Sequence, residues 1–204
     1  MKLTSKLIFS YLSIVIILLG VGILAIYDLD KMNQNTVEMY DERVVPLSDL
    51  AMIAKLSENT RVNMVTSVLR EEADFVNRAE TNIEEIDKYI THFLEMDITA
   101  KEREVIEQFS IKWNEFTAIV HTNISLVKAG KYGEASVGLT KGGVPFQEAS
   151  DLLTGMLELN VAEAENLLVL NQKEYSSTKL ILIAIITIAV LLAIAIGFTV
   201  GRVI

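Results

Sequence analysis

Arg61, Arg70 and Gln147 are the side chains whose types suit recognition of a small anion. A guanidinium is planar and always charged, and its fork of N–H donors matches the two oxygens of a carboxylate. Helical rise sets rough heights along the chain. Arg61 lies 33 residues after Asp28, and Phe146, next to Gln147, lies 33 residues before Lys179. If the segments holding them are antiparallel helices, Arg61 and Gln147 fall at one level and Arg70 falls nearer a distal turn. Arg61 itself has three open readings: it snorkels to a bundle edge, pairs with a glutamate, or lines a dimer or ligand pocket. The expected occupant is a small anion, an organic acid or an amino acid; a cation or a partner protein is the alternative.

Catalytic chemistry finds little to work with. The absence of cysteine excludes disulfides, thiolate metal sites and a cysteine nucleophile. The two histidines, His92 and His121, sit in neither a His-Glu-x-x-His nor a Glu-x-x-His motif. Each reads as a surface or satisfied position. Gly130-Lys-Tyr-Gly133 lacks the spacing and the Lys-Ser/Thr of a phosphate loop. Glu84, Glu85 and Asp87 read as a solvated helix face, and Phe109, Trp113 and Phe116 as core packing. No enzymatic activity, cofactor or metal is expected. The net charge of −9 argues against a nucleic-acid partner.

The elements that must position these residues follow from where the apolar side chains sit. The chain of 204 residues is 51% hydrophobic, but much of that lies in two uncharged stretches, 7–27 and 180–200. Each is long enough to cross the hydrocarbon core of a bilayer, about 30 Å. The first has no small-x-small cleavage site behind it, so it reads as an anchor and not a leader. Lys2 and Lys6 precede it, and Arg202 follows the second stretch. Residues 28–179 hold all 27 acidic groups beside 15 basic ones, a net of −12. By the bias of basic residues, segments 1–6 and 201–204 are cytoplasmic, and 28–179 form an extracytoplasmic domain of a two-pass cell-membrane protein.

That domain reads as all-α. There is no glycine from Asp28 to Ala129, and five then fall between Gly130 and Gly143. Apolar residues recur at helical spacing in four runs. They are Leu47-Leu50-Ala54-Ser57-Arg61-Met64-Val68, Ala79-Ile83-Ile86-Ile90-Phe93, Ile106-Phe109-Trp113-Phe116-Val120-Asn123-Val127, and Leu152-Met156-Leu159 resuming at Asn166 and Leu170. Thr99-Ala-Lys-Glu102 predicts a capping box, Asp74 an N-cap, and Pro145 a helix first turn. Pro46 predicts a kink within a continuous helix. The expectation is four helices over 28–70, 74–96, 100–129 and 145–179, forming an antiparallel up-down bundle flanked by the two spans.

This layout resembles the sensor region of methyl-accepting chemotaxis proteins with a four-helix-bundle ligand-binding domain. The residues that carry the resemblance are Tyr40-Asp-Glu-Arg-Val-Val-Pro46-Leu, Ile98-Thr-Ala-Lys-Glu102 leading to Phe109, Trp113 and Phe116, and Ala129-Gly-Lys-Tyr-Gly-Glu-Ala135. Gly201-Arg-Val-Ile204 looks like the start of a HAMP linker. The resemblance implies a homodimeric receptor fragment that passes an external signal through the second span to a cytoplasmic signalling domain. Two alternatives stay open: the same bundle ahead of a histidine kinase or diguanylate cyclase, and a structural bundle without a ligand. The arginines that hold a carboxylate in aspartate-type relatives are not reproduced by Arg61 and Arg70, which are nine residues apart.

Overall fold

The computed structural model describes residues 3–202. Met1 and Lys2 of the expected cytoplasmic start, and Val203 and Ile204 of the HAMP-like end, lie outside the described residues. The described residues are helical almost throughout: α1 (Leu3–Met39), a π-helical turn (Tyr40–Val44), α2 (Val45–Arg70), α3 (Asp74–Glu95), α4 (Ala100–Lys128) and α5 (Tyr132–Arg202). They divide into two compact units, Met39–Glu165 and Met1–Glu38 with Asn166–Ile204.

The unit Met39–Glu165 is an antiparallel four-helix bundle of α2, α3, α4 and the first part of α5. Cross-contacts show the direction of each helix. Asp49 near the start of α2 meets His92 near the end of α3, and Glu80 early in α3 meets Lys128 at the end of α4. Glu102 at the start of α4 meets Asn160, well along α5. The α4 seam lies in the core as its spacing predicts, from Ile106 through Val127. Phe109, Trp113 and Phe116 stack along it, and Phe146 of α5 meets Phe116 edge-on at 5.1 Å between centroids. Such aromatic contacts add about 0.5–1.5 kcal/mol beyond the area they bury.

Local chemistry sets the helix ends. The capping box is formed: Glu102 N–H donates to Thr99 Oγ1 at 3.2 Å, and Thr99 N–H donates to Glu102 Oε2 at 2.7 Å. Asp74 does not cap α3; Ala73 holds that position, and Asp74 is the first helical residue. There its charge still complements the helix N-terminus. Glu71 ends α2 with φ of 57°, a left-handed position usually given to glycine. The Ser67 hydroxyl braces this turn by donating to Glu72 O.

Further expectations are corrected. The last bundle helix starts at Tyr132, not near Pro145, so Gly133, Gly138, Gly142, Gly143 and Pro145 are all inside α5. Only Ala129-Gly130-Lys131 forms the turn, with Gly130 at φ +70°. The α2 seam also differs from the apolar count. Thr60 is fully buried and Arg61 is exposed, because the core face runs through Leu50, Ile53, Ser57, Thr60, Met64 and Ser67. On α5 the core face takes Ala149, Leu153, Met156 and Asn160 in place of Leu152 and Leu159. Pro46 lies in the first turn of α2, and the adjustment ahead of it is the π turn, whose Val45 N–H donates to Tyr40 O.

The other unit holds the two apolar stretches. Among the described residues two helices are long and apolar enough to cross a membrane, and their apolar windows are unburied. Beyond the apolar stretches of α1 and α5, Lys31 pairs with Glu174 at 3.2 Å and Asn35 donates to Asn171 at 3.0 Å. Hydrogen bonds from Lys31 and then Asn35, with the Lys31 charge, hold the Glu174 carboxyl below the usual glutamate range.

Candidate functional site

A cleft of about 110 Å³ opens between α2, α4 and α5. Phe116, Ile119 and Val120 form its α4 wall, Met64 and Val65 its α2 wall, and Gly138, Leu139, Gly142 and Gly143 its α5 wall, with Arg61 beside them. The glycines have separate physical reasons. A Cβ on Gly138 would lie 1.9 Å from Asn123 Oδ1, so a larger residue there forces the Asn123 amide to move. A Cβ on Gly142 would make ordinary contact with the Phe116 ring at 3.5 Å, and one on Gly143 would meet nothing. Interior glycine costs a helix about 0.8–1 kcal/mol relative to alanine. Packing therefore explains Gly138 and leaves the cost at Gly142 and Gly143 without a return in the core.

Two polar groups belong to this cleft. Arg61 lies with its guanidinium 5.0 Å from the Phe146 ring centroid, and its Nε and Nη2 both donate to Glu58 Oε2 at 3.2 and 3.0 Å. Its side chain is 49% exposed. Arg61 reaches the bundle edge and pairs with a glutamate, two of its three sequence readings, and it lines a cavity. Asn123 is 3% exposed and lines the α4 wall of the cleft.

The other expected residues lie elsewhere. Gln147 is exposed and donates to Asp151 at 2.8 Å, although its neighbour Phe146 stands at the Arg61 level that helical rise gives. Arg70 is exposed at the end of α2, 5.7 Å from the Phe75 ring centroid. Neither is among the residues lining the Arg61 cleft. His92 is satisfied by Asp49 at 2.6 Å. His121 is exposed. Partial burial raises the Asp87 carboxyl above its usual range; the His121 charge opposes that shift and Glu84 adds to it.

A second polar cluster ties the opposite part of the bundle together. Glu102 is fully buried and accepts from Arg43 Nη1 at 3.1 Å and Asn160 Nδ2 at 3.3 Å, beyond its capping bond to Thr99. Arg43, in the π turn, is only 8% exposed. This network joins three segments far apart in sequence. It escapes sequence reasoning because Arg43 and Asn160 are ordinary surface types; the one visible signal is the capping box, which fixes Glu102.

The fold and its polar sites accompany a family match. A family model described as "Four helix bundle sensory module for signal transduction" matches residues 1–175. The chain belongs to that family. The sensory module is also similar to a protein of Acetivibrio thermocellus named "Putative sensory transducer protein", at 23% identity over 130 residues. That match covers 63% of the chain and 23% of the relative, so the chain spans about a quarter of the relative's length. No solved structure matches it. Among the described residues of the sensory module no group of three or more His, Cys, Asp or Glu is placed to hold a metal ion.

Proposed function

We propose that this sensory module is the sensor region of a transmembrane chemoreceptor of the methyl-accepting kind. It detects an extracytoplasmic signal and passes it through the second apolar span to a cytoplasmic signalling domain. The observation that carries the reading is α5, one unbroken helix from Tyr132 to Arg202. It contributes the glycine wall of the Arg61 cleft and continues into the second apolar stretch. A ligand that binds better in one position of this helix shifts its population by that difference in affinity and no more. The role requires binding and not turnover, so the module itself is proposed to be non-enzymatic. The charge bias of the sequence supports a cytoplasmic side for residues 1–6 and 201–204. A homodimer is the assembly that the chemoreceptor reading implies.

The test fuses residues 1–204 to the HAMP linker and signalling half of a chemoreceptor whose kinase control is measured in vesicles. The chain has no cysteine, so Asn35→Cys with Asn171→Cys gives a clean crosslink at two residues now joined by a 3.0 Å hydrogen bond. Oxidation of this pair is expected to lock kinase output severalfold away from the reduced value. Unchanged output on complete crosslinking would remove α1 and α5 as the signalling pair.

A further inference from the structure

We propose that the cleft between α2, α4 and α5 binds a short branched-chain monocarboxylate, with the alkyl group against Phe116 and Gly142 and the carboxylate on Arg61. This site rests on the sensory role proposed above and names the chemical class that role would detect. Three independent features converge on it. The cavity of about 110 Å³ is apolar on most of its wall, and it is smaller than the ~150 Å³ apolar cavity that accepts benzene. A branched alkyl group fits such a space; a long acyl chain does not. Gly142 and Gly143 keep that space open where a methyl group would be tolerated.

The polar groups select the head group. Arg61 spends Nε and Nη2 on one oxygen of Glu58, and Nη1 has no partner among the described residues. The Phe146 ring backs the guanidinium and limits its tilt. A carboxylate can thus engage the Nη1–Nη2 edge, while Glu58 holds Arg61 in place until then. Asn123, 3% exposed, lines the same cavity and offers a second polar contact. Arg61, already paired with Glu58 through Nε and Nη2, has one further edge to offer, enough for one carboxylate. A dicarboxylate would leave its second charge against Phe116 and Val120.

The test is titration calorimetry of the full chain in nanodiscs with isovalerate, alongside 3-methylbutan-1-ol and 3-methylbutylamine. Isovalerate is expected to bind, with the alcohol and the amine at least tenfold weaker. Arg61→Gln should weaken isovalerate at least tenfold. Gly142→Leu should abolish binding by filling the chamber, with fluorescence of Trp113 and helical content reporting that the bundle is intact. Should Gly142→Leu fail to fold, Gly143→Ala and Gly142→Ala replace it, each expected to weaken binding as the chamber shrinks. Equal binding of acid, alcohol and amine would overturn the role of Arg61. Failure of every monocarboxylate of about three to six carbons to bind would overturn the site. If that happens while the crosslinked hybrid receptor still switches its kinase, the cleft assignment falls and the sensory reading stands.

Discussion

Replacing Glu102 by alanine removes the carboxylate at the centre of the buried network and keeps every other side chain. The fully buried carboxylate faces Arg43 Nη1, Asn160 Nδ2 and the Thr99 N–H. Its loss strands a guanidinium whose side chain is 9% exposed. Breaking a buried ion pair from one side costs about 3–5 kcal/mol, because the remaining charge stays desolvated. Against a domain stability of about 5–15 kcal/mol, that is a large share. For a unit of this size it corresponds to a fall in Tm of roughly 12–20 °C. Arg43 Nε and Asn160 Oδ1 already lack hydrogen-bond partners, so the network is incompletely satisfied. An apolar replacement of both charges, Arg43→Met with Glu102→Leu, should therefore cost far less than Glu102→Ala alone. The assay is denaturant unfolding of the full chain in micelles, followed by Trp113, the only tryptophan, which is buried in the bundle core. A double-mutant cycle of Arg43→Met, Glu102→Leu and the two combined should show a coupling of about 2–3 kcal/mol. A cost below about 1 kcal/mol for Glu102→Ala, or strictly additive single and double variants, would refute the reasoning.

Other perturbations follow from the same packing. Gly138→Ala should destabilise by about 1 kcal/mol net, the overpacking against Asn123 exceeding the gain in helix propensity, and adding Asn123→Ala should relieve it. Gly142→Ala should instead raise stability by up to about 1 kcal/mol, since its methyl meets Phe116 at an ordinary distance; both are read by thermal melts. Glu71→Gly should stabilise by about 1 kcal/mol, by removing a side chain from a left-handed cap. Asp87 carries a raised pKa, so the folded state holds its proton more tightly than the unfolded chain does. Its penalty is present above the folded pKa and disappears as pH falls below the unfolded one. Asp87→Asn should then raise Tm slightly at pH 7, with the gain vanishing on acidification; a gain that grows in acid would contradict the sign.

The bundle itself was largely legible, because α3 and α4 repeat their apolar residues with few exceptions and the capping box fixes one boundary. The α2 and α5 registers were harder. Their core faces mix Ser57, Thr60, Ser67 and Asn160 with apolar residues, so the apolar spacing places Leu50, Ser57, Met64, Val68 and Met156 in the core correctly but puts Ala54, Arg61, Leu152 and Leu159 one residue off it. The glycine cluster misled for a related reason. Glycine breaks helices in isolation, yet Gly138 sits inside one where the Asn123 amide packs against it and would have to move for a side chain. Of the polar residues lining the cleft, Arg61 was visible from its position amid apolar spacing. Asn123 sat unnoticed in a seam, and the network of Arg43, Glu102 and Asn160 depends on three helices meeting, which spacing along one helix cannot reveal.

The turns of the bundle carry a kinetic consequence. Three residues join α2 to α3, four join α3 to α4, and three join α4 to α5. Each helix can pair first with the one just made, so many native contacts close short loops and little entropy is lost before they form. Chains of this kind collapse in microseconds to milliseconds. The bundle can therefore assemble hairpin by hairpin in the order of synthesis, with α5 completing the core last and closing the cleft wall only when the rest of its scaffold is already in place.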